Sequence, residues 1–340
     1  MTESRRVGLS TGVTLNVALA GPDDAPAVIL LHGFPESHRT WREVAPLLED
    51  RFRLIMPDQR GFAGSDRPED APAVILLHGF PESHRTWREV APRLDDRCRL
   101  IMPDQRGFAG SDRPLDADEY KTETLVGDIF ALADTLGLER FALVGHDWGG
   151  AIAWPAALRN DPRLTKLAII NAPHPLIFQK SLIEDQDQRA ASQYINWFRT
   201  TGAEKAIEAM GFDAFFQKTF VGHVELAKIP EGEKQQYIAE WSQPGGMVPM
   251  LNWYRATKLV VPPTNMTVPL PDWLLRAFPK VKVPTLVVWG MRDPALLPLQ
   301  LDGLDQLVED LTVVKLPDAG HFAPWEAGDQ VADALRDFLA

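Results

Sequence analysis

Polar and apolar positions alternate over residues 13–17, with Val13, Leu15 and Val17 on one face and Thr14 and Asn16 on the other. That two-residue period is the signature of a half-buried strand and predicts an N-terminal β-hairpin. Further along, short runs are apolar on both faces: "AVILL" after Asp24, "RLIMP" after Phe52, "RFALV" at 140–144, "LTKLAII" at 164–170, "TLVVWG" at 285–290 and "LTVVKL" at 311–316. Runs of this kind fit parallel strands covered by helices on both sides. Between them the apolar spacing becomes helical, as in "SHRTWREVAPLL" at 37–48 and "TETLVGDIFALADTLGL" at 122–138. From 174 to about 278 the strand runs stop, and helical segments such as "EDQDQRAASQYINWF" and "AEKAIEAMGFDAFFQKTF" take over. The expected fold class is therefore α/β, a mostly parallel, doubly wound sheet (1–173 and 279–340) with an inserted helical cap (174–278).

One segment occurs twice. "DAPAVILLHGFPESHRTWREVAP" begins at Asp24 and again at Asp70, and "PDQRGFAGSDRP" follows at 57–68 and 103–114. Across 24–69 and 70–115 only Leu47/Arg93, Glu49/Asp95, Phe52/Cys98 and Glu69/Leu115 differ. Two units are too few for a solenoid, which needs about three to bury a continuous core. Each reads as strand, helix, strand, the makings of a right-handed crossover. A single sheet needs one copy, so the other is surplus. The second connects directly to the helix leading to 141–150, and it is the copy expected beside that strand.

The totals remove several classes of function. A net charge of −12 with a pI near 5.2 argues against nucleic acid or an anionic membrane as partner. No apolar run approaches the roughly 18 residues of a membrane span. "SRRVGL" has the paired arginines of an export signal, but the "STGVTLNVALAG" that follows is too polar for the apolar segment of one. Cys98 is the only cysteine, which excludes an internal disulfide. A cytoplasmic protein is the expectation; a homodimer stays open.

The chemistry centres on "VGHDWGG" at 144–150, where a strand turns sharply into the helix "AIAWPAAL". Gly145 and Gly149 flank Asp147 as glycines flank the serine of G-x-S-x-G, which sits on a strained elbow above a parallel sheet. Asp293, in "MRDP", and His321, in "AGHF", follow later strands. Catalytic groups of open α/β sheets gather at the carboxyl ends of strands. An aspartate in the nucleophile's place changes the reaction. Serine attack on saturated carbon leaves an ether that water cannot remove, whereas carboxylate attack leaves an ester that water can cleave. Asp147, with an ordinary pKa of about 3.9, needs no base to attack. His321 would then activate water against the ester, with Asp293 orienting the imidazole.

"HGFPES", "GHDWGG", "NAPHP", "MLNWYRA" and "AGHFAPWE" together resemble the epoxide hydrolases of the α/β-hydrolase fold, and the likeness spans the chain apart from the surplus copy. One departure is alanine at Ala63 and Ala109, where that family more often has glycine. The resemblance implies ring opening of a small apolar epoxide by Asp147, with water as co-substrate and no cofactor or metal. It also implies a proton-donating tyrosine at Tyr254, and Tyr194 is the expected partner. Oxyanion donors are expected from the N–H groups of Trp148 and of Phe80, or Phe34 if the first copy fills the sheet. Tyr237 and His146 are expected to be structural. Trp148, Trp197, Met247 and Leu251 are the expected pocket walls. Two alternatives stand: a haloalkane or haloacid dehalogenase of the same fold, and a catalytically inactive ligand-binding relative.

Overall fold

The computed structural model describes residues 3–10, 14–33, 36–59, 71–94, 97–220, 229–266, 268–275 and 278–340. Two compact units are present, one comprising Met1–Ala73 with Ala91–Leu100 and the other Val74–Val90 with Ile101–Ala340.

In the first unit, β1 (Glu3–Gly8) and β2 (Thr14–Ala20) form the expected hairpin. From the first copy, β3 (Ala27–Ile29) and β4 (Arg53–Pro57) complete a four-stranded sheet in the order β1-β2-β4-β3. Ala18, Ala20, Ala45, Leu54 and Met56 are its buried centre, with Trp41, Leu48 and Phe52 packed against them. The helix expected over 37–48 does not form. Two short 3-10 turns, His38–Trp41 and Ala45–Leu47, replace it, and the second copy repeats them at His84–Trp87 and Ala91–Arg93. Proline explains the break. Pro46 and Pro92 lack an N–H, and each ring disfavours helical backbone in the preceding residue.

The second sheet has six parallel strands in the order β10-β9-β8-β7-β5-β6. They are β5 (Ala73–Leu77), β6 (Arg99–Ile101), β7 (Phe141–His146), β8 (Leu164–Ile170), β9 (Thr285–Gly290) and β10 (Leu311–Leu316). The second copy thus supplies the neighbour of the elbow strand. The two "AVILL" segments record the difference. All five residues are buried at 73–77, whereas at 27–31 the same five alternate between exposed and half-buried. Leu47, the apolar member of the Leu47/Arg93 pair, is 76% exposed.

Helices α1 (Thr122–Thr135) and α2 (Trp148–Leu158) flank β7 in sequence. Between β8 and β9 the described residues include seven α-helices: α3 (Pro175–Glu184), α4 (Gln186–Ala191), α5 (Gln193–Arg199), α6 (Ala203–Met210), α7 (Phe212–Phe220), α8 (Glu231–Trp241) and α9 (Val248–Ala256). The segment 203–220 reads as one helix but is two. Gly211, with φ of 85° and ψ of 143°, ends α6 in a positive-φ conformation open to glycine that stops helix propagation. After β9 come α10 (Leu304–Leu307), α11 (Ala323–Glu326) and α12 (Gly328–Leu339). No helix among the described residues is long and apolar enough to cross a membrane.

Candidate active site

Asp147 sits between β7 and α2 with φ 50° and ψ −119°. A non-glycine residue held there stores roughly 1–3 kcal/mol of strain. The local sequence is built for the turn. A Cβ on Gly145 would lie 2.5 Å from Gly149 O, so only glycine lets strand and helix approach this closely. The carboxylate enters a largely buried site. Its Oδ1 accepts the Phe80 N–H at 2.7 Å, and its Oδ2 lies 3.5 Å from His321 Nε2.

The Phe80 loop is braced from behind. Gln105 donates its N–H to His78 Nε2 at 3.0 Å, and the ring's Nδ1 faces Gly79 O at 3.0 Å. Burial pushes His78 down to about 4, so the ring is neutral and can accept at one nitrogen while donating at the other. Gly79 lies against Asp147 itself; a Cβ there would stand 2.4 Å from Asp147 Cβ. Phe34, the counterpart in the first copy, lies outside the described residues.

His321 is fixed on three sides. Nδ1 donates to Asp293 Oδ2 at 2.7 Å. Its carbonyl accepts from His146 Nε2 at 2.8 Å, and Glu326 takes the N–H groups of the flanking Gly320 (2.7 Å) and Phe322 (2.9 Å). Asp293 is saturated in turn, accepting from Asn171 Nδ2, Ala295 N–H and Leu296 N–H, each at 2.9 Å. Burial pushes the His321 imidazole down, but Asp293 and Asp147 outweigh it and hold it well above its usual value. Burial likewise raises Asp147, yet the His321 contact and the Phe80 N–H bring it below the ordinary range. Both shifts favour an imidazolium held between two carboxylates.

Tyr194 on α5 and Tyr254 on α9 face this site from the helical block, their ring centroids 6.2 Å apart. Tyr254 packs edge-on against Trp148 at 5.0 Å and Phe80 at 5.2 Å. Burial, and then the charge of Asp147, raise both phenols above their usual value. Two cavities touch the carboxylate and both are lined by the two tyrosines. One, of about 450 Å³, runs past Phe80, Phe198 and Phe215, with Trp197 on its wall. The other, of about 180 Å³, is bounded by Trp148, Ile195 and Leu296. Met247 and Leu251, expected on the pocket wall, are instead fully buried core residues and line neither cavity. Depth decides this, because Met247 at the start of α9 and Leu251 are both 0% exposed, whereas Tyr254, one turn beyond Leu251, reaches both cavities.

Several participants carry no signal in a sequence pass. Asn171 clamps Asp293 from the end of β8 and takes the Gly290 N–H at 2.9 Å. Glu82 is buried, with its Oε2 3.6 Å from His146 Nδ1 and its Oε1 3.3 Å from the Tyr237 hydroxyl; desolvation raises it to about 7. Only tertiary contact gives them a role, although "NAPHP" and "HGFPES" mark where to look.

The α/β-hydrolase fold family model matches this chain over residues 26–71 and 72–328. Epoxide hydrolase 3 of Xenopus tropicalis is 32% identical over 340 residues, covering 97% of this chain and 75% of that protein. The chain is an epoxide hydrolase of the α/β-hydrolase family. Epoxide hydrolase A of Mycobacterium tuberculosis is 30% identical to this enzyme, covering 97% and 95% of the two chains. Among solved structures, an epoxide hydrolase from metagenomes of hot environments matches with 38% identity and a TM-score of 0.72, covering 100% of this enzyme and 99% of that chain. The AB hydrolase superfamily protein YfhM of Bacillus subtilis is 34% identical, covering 84% of this enzyme and 79% of that protein.

Proposed function

We propose that this enzyme opens small apolar epoxides to vicinal diols through a covalent ester on Asp147. The observation that carries the reading is the placement of the carboxylate, with Oδ1 on the Phe80 N–H, Oδ2 toward His321, and two protonated phenols lining the cavities it enters. Asp147 attacks one epoxide carbon, the C–O bond breaks, and Tyr194 and Tyr254 supply a proton to the departing oxygen. Forming the ester removes one of the two anions that raise His321. The imidazolium then gives up its proton, restoring the phenol that protonated the departing oxygen, and the neutral ring takes a proton from water as that water attacks the ester carbonyl. Charge on the tetrahedral oxygen falls to the N–H of Phe80 and that of Trp148. Trp148 opens α2, so its N–H has no partner within the helix.

On this reading α3–α9 form a cap, and the surplus copy is 24–69. Aromatic walls around the larger cavity favour an aryl or alkyl substituent. The test is His321→Gln. It should form the ester and fail to hydrolyse it, leaving an adduct on the Asp147 peptide by mass spectrometry, while Asp147→Asn shows none. Normal turnover by His321→Gln, or no label, refutes the scheme.

A further inference from the structure

We propose that the N-terminal hairpin β1–β2 has two acceptor strands, β4 and β6, and exchanges between them within one chain. In the structure it sits on β4, with Ala18 opposite Met56, Leu19 opposite Ile55 and Ala20 opposite Leu54. Side chains reinforce the pairing. Asn16 Nδ2 donates to Asp58 Oδ2 at 2.8 Å, and Arg53 donates to Gly21 O and meets Asp23, each at 2.7 Å. Every one of these partners recurs a repeat later, since residues 53–58 and 99–104 are both "RLIMPD". Met102, Ile101 and Leu100 would take the same places in the same register.

The two acceptors differ visibly in what covers them. Leu54 and Met56 are 0% and 3% exposed beneath the hairpin, whereas Leu100 and Met102 are half-buried where the six-stranded sheet ends at β6. Asp58 and Asp104 hold the same cap, each Oδ1 taking the Nδ1 of His38 or His84 at 2.7 Å. Their second oxygens diverge. Oδ2 of Asp58 takes Asn16, while Oδ2 of Asp104 meets the Gly110 N–H at a long 3.3 Å. Moving the hairpin would expose at β4 what it covers at β6, which makes the two arrangements close in free energy.

Two terms bias the choice toward β4. Ala20 is separated from Leu54 by 33 residues (21–53) and from Leu100 by 79 (21–99). Loop closure alone then favours β4 by about fourfold. Phe52 packs on the hairpin's core, where the second copy offers Cys98, a smaller apolar residue. Neither term blocks exchange.

The test pairs Ala18→Cys with Met56→Cys, or with Met102→Cys, in full-length protein carrying Cys98→Ala. Both pairs should close within one chain under native oxidising conditions, the Met102→Cys pair on the order of tenfold more slowly. Replacing Cys98→Ala by Cys98→Phe should narrow that gap. A Met102→Cys pair that stays reduced, or links only between chains, while the Met56→Cys pair closes overturns the proposal. Hydrogen exchange under reducing conditions, comparing the native chain with Phe52→Cys, gives a second reading that needs no disulfide. Phe52→Cys should weaken protection over 53–57 and strengthen it over 99–102. Exchange over 99–102 that ignores Phe52→Cys also overturns it.

Discussion

Identical substitutions in the two copies should have opposite consequences, and Gly79→Ala against Gly33→Ala is the sharpest pair. A Cβ at Gly79 would stand 2.4 Å from Asp147 Cβ, whereas one at Gly33 meets nothing within 4 Å. Carbon atoms settle at roughly 3.5 Å or more, so the loop or Asp147 must move by about 1 Å. The 2.7 Å bond from the Phe80 N–H to Asp147 is the first casualty. Losing one such donor costs roughly 10²–10³ in rate, about 2.7–4 kcal/mol, and a 1 Å misplacement of a reacting group is worth a similar factor. Gly79→Ala should therefore lose about 10²-fold or more in kcat/KM for diol formation from an aryl epoxide. Gly33→Ala should lose less than about twofold, because surface changes that touch nothing stay within about 0.5 kcal/mol. Thermal unfolding of both variants separates a damaged site from a damaged fold. Loss of activity in Gly33→Ala with Gly79→Ala intact would put the first copy at the site and refute the assignment.

The phenols of Tyr254 and Tyr194 should matter to ring opening. Tyr254→Phe should lower the single-turnover rate of ester formation by a sizeable part of the roughly 10²–10⁴-fold typical of acid catalysis, and the double variant with Tyr194→Phe should be nearly inactive. Rates indifferent to both changes would point to halide displacement instead. Glu82 should leave a pH signature in stability. Its folded pKa of about 7 lies above the ordinary 4.5, so the folded state binds the extra proton between those values, and the contribution of Glu82 to stability is full below pH 4.5 and is lost as pH rises toward 7. Glu82→Gln should remove that slope, worth up to roughly 3 kcal/mol. Parallel Tm-against-pH curves for the two proteins would show that Glu82 does not titrate in this window.

Much of the candidate site was legible without coordinates. Asp147 between two glycines, Asp293 and His321 after later strands, and Tyr254 in "NWYRA" are local patterns, because a strained elbow and a strand-end loop are specified by the residues that form them. Strand runs apolar on both faces likewise announced a covered parallel sheet. Supporting residues were not legible. Asn171 and Glu82 act by meeting groups far away in sequence, Glu326 by folding back on the loop just before it, and Met247 and Leu251 missed the pocket because depth of burial, not apolar composition, decides which side chains reach a cavity. Helical spacing over 37–48 misled for a different reason, since Pro46 outweighs apolar period. The repeat marks the boundary most clearly. "AVILL" is exposed or half-buried at 27–31 and wholly buried at 73–77, and no local rule can separate identical strings. Sequence fixes what each strand can pair with; which copy lies beside Asp147 depends on the neighbours that the chain's connections bring to it.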